Sequence, residues 1–232
     1  MHNIYRGIYM IYYAIIGDVK DSRTLPNRND VQEKLKKVLL DINRIYNKDI
    51  AADFLITLGD EFQGLMLKSN NIIKIVKHIQ RELHPIQIRF GIGIGEISTK
   101  INKKAAIGAD GPAFYAARNV ITMIHELEKK IKIQAPDIQI SLYTEKNIFE
   151  IKEINTLLSL IKAIEDSWTE KQRYTVWDMM INHGSQNECA LRMNTSQSTV
   201  ARRLSDGKYI VYVNAINTAE EAISRLEENG VI

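Results

Sequence analysis

Asp60 is an acidic residue placed where two short apolar runs meet. The runs cover residues 54–58 and 62–66, and Gly59 and Asp60 stand between them. A Gly-Asp pair in this position is typical of a tight hairpin, because glycine tolerates positive φ and aspartate tolerates turns. The carboxylate of Asp60 would then lie at a strand end, where it either serves only its own turn or takes part in chemistry.

A second aspartate, Asp18, ends another apolar run. Residues 12–17 are apolar or small without alternation, as in a strand buried on both faces. Two strand-end carboxylates suit a Mg²⁺-nucleotide site, since magnesium prefers oxygen ligands and completes its shell with water and phosphate oxygens. The sequence therefore predicts a Mg²⁺ site, which Mn²⁺ could also fill, formed by Asp18 and Asp60. The residues predicted to line the nucleotide flank these aspartates: Gly17, Val19 and Gly59.

The elements that must position these aspartates follow from the hydrophobic pattern. Apolar residues spaced by three and four predict helices over residues 27–48, 69–83 and 113–130. Apolar and alternating runs predict strands over residues 12–18, 86–95 and 138–143, with a hairpin over 54–66. This order predicts an α/β sandwich, with helices over a mostly antiparallel sheet close to the ferredoxin-like pattern. Three glycines of one strand leave room for something close to its backbone: Gly91, Gly93 and Gly95.

Composition places the chain among ordinary globular proteins. It has 232 residues, 45% hydrophobic and 25% charged, and its net charge of +3 indicates neither a nucleic acid nor a membrane partner. The single cysteine, Cys189, excludes an intrachain disulfide and a cysteine zinc cluster, which fits a reducing cytoplasm. The apolar run at residues 8–16 is far shorter than the ~20 residues of a membrane helix. We therefore expect a cytoplasmic protein with no signal peptide, membrane span or membrane partner.

Residues 186–204 have the pattern of a helix-turn-helix. Ala190 would lie at the close crossing of the two helices, Asn194 in the turn, and Ser196 at the cap of the second helix. The predicted organisation is then an α/β domain, a helical connector and a small all-α helix-turn-helix domain, at residues 1–144, 145–167 and 168–232.

The second of these helices would expose side chains that can reach phosphates and base edges in a major groove. They are Ser196, Gln197, Ser198, Thr199, Arg202 and Arg203. A helix-turn-helix also serves pure packing roles, and residues 168–232 contain seven Lys and Arg against eight Asp and Glu, a net charge of −1. DNA-binding modules are usually more basic. The clustering of hydroxyl, amide and guanidinium groups on one short helix nevertheless favours double-stranded DNA as a partner.

Three segments resemble nucleotide cyclases. Residues 59–62 repeat most of the signature of the GGDEF diguanylate cyclases, and the predicted α/β arrangement is similar to the palm-like catalytic domain of class III nucleotidyl cyclases. Residues 89–95 look like the cyclases' Arg-x-Gly-Ile-x-x-Gly strand, and residues 115–118 resemble a helix whose terminal cation faces phosphate. The resemblance implies that the two aspartates bind metal and that Arg118 is catalytic, since a guanidinium can hold two phosphate oxygens.

The sequence departs from these families at three positions. Ile56 stands where class III cyclases have a base-selecting lysine, and Phe114 stands where their helix has an asparagine. Leu58 replaces the first glycine of the diguanylate cyclase signature. The metal-binding acids are therefore present, while parts of the substrate apparatus are replaced by apolar side chains.

The chain is also identified as a member of the SatD family of bacterial proteins. Four segments carry this resemblance, at residues 14–18, 57–64, 90–96 and 107–113. It covers about residues 10 to 230 and implies no particular activity.

Three functions fit these observations. The first is a regulatory protein in which a Mg²⁺-nucleotide site is coupled to a DNA-binding domain. The second is an active nucleotidyl cyclase that forms a cyclic nucleotide or oligonucleotide by two-metal activation of a ribose hydroxyl. The third is a non-catalytic interaction protein whose aspartates are only turn residues. A homodimer is expected, since class III cyclases work as dimers and repressors commonly read paired half-sites.

Overall fold

The structure, a computed structural model, describes residues 10–131, 136–143 and 148–228. The strands are β1 (Tyr12–Val19), β2 (Ile50–Leu58), β3 (Glu61–Met66), β4 (Ile88–Gly95) and β5 (Ile138–Leu142). The helices are α1 (Arg28–Ile45), α2 (Ile72–Leu83), α3 (Pro112–Ile131), α4 (Ile148–Asp166), α5 (Glu170–Asn182), α6 (Gln186–Arg192), α7 (Gln197–Asp206) and α8 (Tyr209–Glu228). Within the described ranges, none of these helices is long and apolar enough to cross a membrane.

The chain divides into two compact units. The sheet unit contains residues 1–155 and 220–232, and the helical unit contains residues 156–219. In this division the described residues 148–155 and the end of α8 fall with the sheet. The side chain of Asn155 shows the reason: its amide bonds both the N–H and the C=O of Ile140 in β5, at 2.7 and 2.8 Å. The N-terminal half of α4 therefore packs on the sheet.

The strands form one sheet in the order β2-β3-β1-β4-β5. The central strand, β1, is antiparallel to both of its neighbours, β3 and β4, and β5 is parallel to β4. With α1 and α2, the first four strands have the βαββαβ order of a ferredoxin-like fold, which confirms the predicted α/β class. The register places Asp18 opposite Glu61 on one side and opposite Arg89 on the other.

Helix α3 covers one face of the sheet at close range. A Cβ atom at Gly93 would overlap the carbonyl oxygen of Ala113, and one at Gly91 would overlap that of Ala117. The strand glycines therefore make room for a helix backbone and not for a ligand. The same face carries a buried apolar cluster that includes Ala14, Ile16, Leu65, Phe114, Ala117 and Ile121.

The opposite face of the sheet meets the helix pair α1 and α2. Side chains alternate along a strand, so Tyr13 and Ile15 point away from α3, and both are fully buried. Leu35 and Ile42 of α1 are buried in the same way. With helices over both faces, polar groups of the sheet can meet solvent mainly at the strand ends.

The N-terminus of α2 is capped by a residue far along the chain. Asn71 holds the N-cap position with φ of 69° and caps no backbone group with its side chain. Glu220 of α8 takes over this role, because its carboxylate accepts a hydrogen bond from the N–H of Lys74 at 2.9 Å. This contact attaches the end of α8 to the sheet unit.

The helical unit has its own core and well-formed helix caps. The rings of Trp168 and Tyr212 pack with centroids 4.7 Å apart, and the Trp168 indole donates to the carbonyl of Gly207 at 2.8 Å. Thr169 forms a capping box at the start of α5, as its position in the sequence indicates. The unit therefore holds its helices by packing that lies within residues 156–219.

Candidate functional site

The fold brings Asp18 and Asp60 to adjacent strand ends. Asp18 is the penultimate residue of β1, and Asp60 occupies the two-residue turn between β2 and β3. The N–H of Val19 donates to the carbonyl of Asp60 at 3.3 Å, which ties the two segments together. The two aspartates are therefore neighbours across the sheet although 42 positions separate them in the sequence.

Two cationic or protonatable side chains contact one oxygen of Asp18. Nη1 of Arg89 lies 2.8 Å from Oδ2, and Nε2 of His125 lies 3.1 Å from the same atom. Burial raises the pKa of the Asp18 carboxyl and outweighs the opposing charges of Arg89 and His125, while the charge of Asp60 raises it further. Because both contacts fall on Oδ2, the other oxygen, Oδ1, is left for another ligand.

Arg89 belongs to a chain of alternating charges. Its Nε and Nη2 donate to Oε2 of Glu128 at 2.8 and 2.6 Å. The other oxygen of Glu128 lies 3.0 Å from Nζ of Lys20, which also pairs with Asp137 at 2.5 Å. Burial acts to raise the pKa of Glu128, but hydrogen bonds from Arg89 and Lys20 prevail and the pKa is lowered.

This ion-pair chain carries a net negative charge. It joins Asp18, Arg89, Glu128, Lys20 and Asp137 in that order. Three carboxylates therefore face two cations, which leaves −1, and Asp60 adds a further negative charge nearby. An excess of carboxylates at the end of a sheet is an arrangement that a bound cation would balance.

The residues that flank the aspartates pack within the sheet. The ring of Phe62 occupies the space where a side chain at Gly17 would lie. Val19 is buried and its N–H is taken by Asp60. Gly59 has φ of 64°, as the turn requires, and its carbonyl accepts from Gln32 at 2.5 Å. Gly17 and Val19 therefore serve the packing of the strands, and their contact with a ligand stays a prediction.

Arg118 lies half-exposed on α3. Its Nη1 is 3.6 Å from a carboxylate oxygen of Asp110, and its guanidinium lies 5.8 Å from the ring centroid of Phe114. Phe114 itself is fully buried in the cluster beneath α3. The helix position that matches the cyclases' asparagine thus belongs to the core, while the cation one turn later reaches the surface.

The acidic strand ends fit a magnesium ion that takes most of its ligands from elsewhere. The described part of the chain contains no group of three or more His, Cys, Asp and Glu side chains that could enclose a metal. Magnesium does not need one, since it is commonly held by one or two carboxylates together with water and substrate phosphates. Oδ1 of Asp18 and the carboxylate of Asp60 meet that requirement.

Comparison with known proteins assigns the chain to a family. The SatD family matches residues 12–223, which is most of the sequence. The chain belongs to the SatD family. No curated protein matches this SatD-family sequence closely enough to count as a relative.

Solved structures similar to this SatD-family chain are nucleotide cyclases. A bacterial light-regulated adenylyl cyclase is 15% identical, with a TM-score of 0.40 over 58% of this chain and 77% of that one. The GTP-bound guanylate cyclase domain of RhGC from Catenaria anguillulae is 15% identical, with a TM-score of 0.35 over 57% and 79%. A dimeric guanylyl cyclase domain of RhoGC from Blastocladiella emersonii is 14% identical, with a TM-score of 0.33 over 57% and 80%. Because these scores lie below 0.5, the fold assignment rests on the strand order alone.

In the helical unit of the SatD-family chain, a short turn connects α6 to α7. Ser196 caps α7 by accepting from the N–H of Thr199 at 3.2 Å, and Asn194 in the turn has φ of 47°. Ala190, Val200 and Leu204 are buried where α6 and α7 pack, as their spacing indicates. Both the helix-turn-helix assignment and DNA binding stay predictions.

The side chains predicted to contact DNA differ in their exposure. Gln197, Ser198 and Arg202 are exposed, and Gln197 donates to Gln186 of α6 at 2.6 Å. Arg203 is only half-exposed, and its Nη1 lies 3.5 Å from the hydroxyl of Thr175 on α5. The guanidinium of Arg203 is thus turned toward α5, and its contact with DNA stays a prediction.

Sequence reasoning missed the two partners of Asp18. The sequence alone places Arg89 only within the cyclase-like segment 89–95 and gives no role to His125. A local signal existed for His125, which stands seven residues after Arg118 and therefore on the same side of α3. No local signal existed for Arg89, because its place opposite Asp18 depends on the register of two strands about 70 residues apart.

Proposed function

We propose that the sheet unit of this SatD-family protein binds a nucleotide with Mg²⁺, and that the helical unit contacts double-stranded DNA. The observation that carries the first half is the placement of Asp18 and Asp60 at adjacent strand ends, joined by the hydrogen bond from Val19. Two carboxylates in that position suit the hard-oxygen preference of magnesium. The protein would then act as a regulator that responds to a nucleotide.

The residues around the aspartates have separate tasks in this proposal. Asp18 and Asp60 hold the cation, and bound Mg²⁺ would neutralise phosphate charge. Arg118 is half-exposed and can donate to phosphate oxygens, which suits a planar guanidinium. The backbone of the tight turn at Gly59 and Asp60 keeps one carboxylate at the surface.

Binding is favoured over turnover. Phe114 is buried, and Ile56 presents an apolar side chain where a cyclase has its base-selecting lysine. A transition state for phosphoryl transfer needs donors that are aimed at the developing charge. Apolar side chains at two of those positions support a nucleotide sensor, with cyclase activity as the alternative. Conversion of labelled ATP or GTP into a new product by the purified protein would favour cyclase activity.

The nucleotide half is tested with asparagine variants that keep side-chain volume. We expect D18N and D60N to bind ATP or GTP in Mg²⁺ at least about tenfold more weakly, since even changes outside the first ligand shell cost that much. D41N is the matched control, because Asp41 is exposed on α1 and pairs with Arg44 on the same helix. Isothermal titration calorimetry gives the affinities. Unchanged affinity in both D18N and D60N would remove the nucleotide proposal.

The DNA half rests on the exposed N-terminal part of α7. The hydroxyl of Ser196 lies 3.0 Å from that of Ser198 and 2.8 Å from that of Thr199, beside the exposed amide of Gln197. Such groups contact phosphates and base edges when a helix enters a groove. Arg202 supplies the exposed cation on the same helix.

The DNA half is tested by the salt dependence of duplex binding. We expect R202A to weaken binding at low salt and to lower the slope of log affinity against log salt by about one. R203A should have a smaller effect, because Arg203 is directed at Thr175. R225A, an exposed arginine in the sheet unit, is the control. If the wild-type protein shows no binding to duplex DNA at low salt, this half of the proposal is refuted.

A homodimer is the proposed assembly. One similar solved structure is described as a dimeric guanylyl cyclase domain, and paired half-sites on DNA suit a two-fold symmetric protein. Light scattering of the full chain that gives the mass of a monomer would contradict it.

A further inference from the structure

Arg89 is a buried arginine that joins Asp18 to helix α3. Only 6% of the residue is exposed. Its Nη1 donates to Oδ2 of Asp18, while Nε and Nη2 both donate to Oε2 of Glu128. A guanidinium has a rigid fork of donors, so one arginine can hold two carboxylates in a defined relation. Lysine has no such fork.

Glu128, the second carboxylate that Arg89 binds, is itself held in place. Glu128 pairs through its other oxygen with Lys20 at 3.0 Å, and Lys20 pairs with Asp137 at 2.5 Å. Asp137 lies at the entry to β5, and its backbone carbonyl accepts from Phe90 at 2.7 Å. Arg89 therefore cannot turn away from Asp18 without breaking its contacts to β1 and α3, and Glu128 of α3 is itself linked through Lys20 to the start of β5.

We infer that Arg89 is the positioning residue of the proposed cation site, and that Glu128 supports it. By holding Oδ2 of Asp18, Arg89 orients the carboxylate and leaves Oδ1 for the cation. This inference rests on the proposed function, because the cation at Asp18 is proposed there. Outer contacts of this kind orient metal ligands and commonly govern affinity.

A competing effect has the opposite sign and makes the inference testable. The positive charge of Arg89 close to Asp18 would repel a cation. If repulsion dominated, removing the fork would leave Mn²⁺ affinity unchanged or increase it. If positioning dominates, removing the fork while keeping the charge lowers the affinity.

The decisive variant is R89K in the full-length chain, with Mn²⁺ alone as the probe. Lysine keeps the charge but lacks the rigid fork of donors that fixes Asp18 relative to Glu128. We expect R89K to bind Mn²⁺ about tenfold more weakly than wild type, as measured by the loss of the free-Mn²⁺ signal in electron paramagnetic resonance. Equal or tighter binding by folded R89K overturns the inference.

A matched control separates positioning from general stability. Arg192 donates in the same forked manner to Asp178 in the helical unit, at 2.7 to 3.2 Å. We expect R192K to lower stability and to leave Mn²⁺ binding unchanged. A merely structural role for Arg89 would make R89K behave like R192K, with reduced stability and unaltered Mn²⁺ affinity.

A second variant keeps the test open if R89K fails to fold. E128Q retains Arg89 but weakens its anchor, and Glu128 is more exposed than Arg89. We expect weaker Mn²⁺ binding by E128Q, and unchanged binding overturns the inference. Wild-type protein that binds no Mn²⁺ refutes the proposed function as well, whereas wild-type binding matched by R89K and E128Q refutes the inference alone.

Discussion

Glu220 shows how burial and hydrogen bonding compete at a single side chain. Its carboxylate caps α2 by accepting from the N–H of Lys74, and backbone donors of Ile73 and Asn71 act in the same sense. Burial prevails over these donors and raises the pKa of the carboxyl. Folding therefore makes this carboxyl easier to protonate than it is in the unfolded chain, although its oxygen remains useful as an acceptor.

We predict that E220Q is at least as stable as wild type at pH 7, and that E220A is less stable. Glutamine keeps the acceptor oxygen without the buried charge, whereas alanine removes the cap at a cost of about 1 kcal/mol. Because the pKa of Glu220 is raised in the folded state, its contribution to stability is fully present below the ordinary value of 4.5. This contribution is lost as the pH rises from 4.5 through the folded-state pKa. The advantage of E220Q should thus disappear in acid.

Urea unfolding of the three proteins at several pH values measures this difference. N43Q can serve as a control for altered polar contacts, since Asn43 bonds the backbone of Phe54 and carries no charge. Its effect should not vary with pH. E220Q that is less stable than E220A at pH 7 would contradict the prediction.

At the scale of elements, the contact between α3 and β4 sets the geometry of the site. His125 and Glu128 reach the Asp18 region only because α3 lies close to the sheet, over the small residues of β4. Close packing of this kind leaves no space for added atoms. A change in β4 should therefore affect both stability and the ion-pair chain.

We predict that G93A destabilises the sheet unit by about 1 to 3 kcal/mol, because the added Cβ would overlap backbone atoms of Ala113 and Ala117. G95A is the graded control, since its Cβ would lie 3.1 Å from the nearest atoms. Thermal unfolding followed by circular dichroism ranks the two. If G93A were as stable as G95A, α3 would be able to shift away from β4 without loss of stability, which would contradict the prediction.

The sequence predicted elements better than the contacts between them. Hydrophobic periodicity and turn residues were enough to predict the helices, the Gly-Asp hairpin and the order of elements along the chain, because these depend on local patterns. The pairing of Asp18 with Arg89 depends on register between distant strands, and the cap from Glu220 depends on where α8 ends. Such long-range contacts leave no local periodic signal, so both were missed.

At the scale of the whole molecule, the two units can be observed separately. Both tryptophans of the sequence, Trp168 and Trp177, lie in the helical unit. Tryptophan fluorescence therefore reports on that unit alone, whereas far-ultraviolet circular dichroism reports on both. This difference allows an electrostatic prediction for the helical unit to be tested in the intact chain.

We predict that D178N lowers the stability of the helical unit by about 1 kcal/mol at pH 7. The hydrogen bond from Arg192 prevails over burial and, with those from Cys189 and Asn182, lowers the pKa of the Asp178 carboxyl. Because its pKa is lowered in the folded state, the Asp178 carboxylate stabilises the fold at pH values above the ordinary 3.8. This stabilisation is lost as the pH falls through the folded-state pKa. Wild type and D178N should thus differ at pH 7 and converge in acid.

The measurement is urea unfolding by tryptophan fluorescence from pH 7 to below pH 3.8, the ordinary value for this carboxyl. D41N is the control, because Asp41 lies in the sheet unit and should leave the fluorescence transition unchanged. A constant difference between wild type and D178N across this range would show that the pair with Arg192 contributes through packing and not through charge. Convergence would show that the helical unit is stabilised by an ionised carboxylate and weakens in acid.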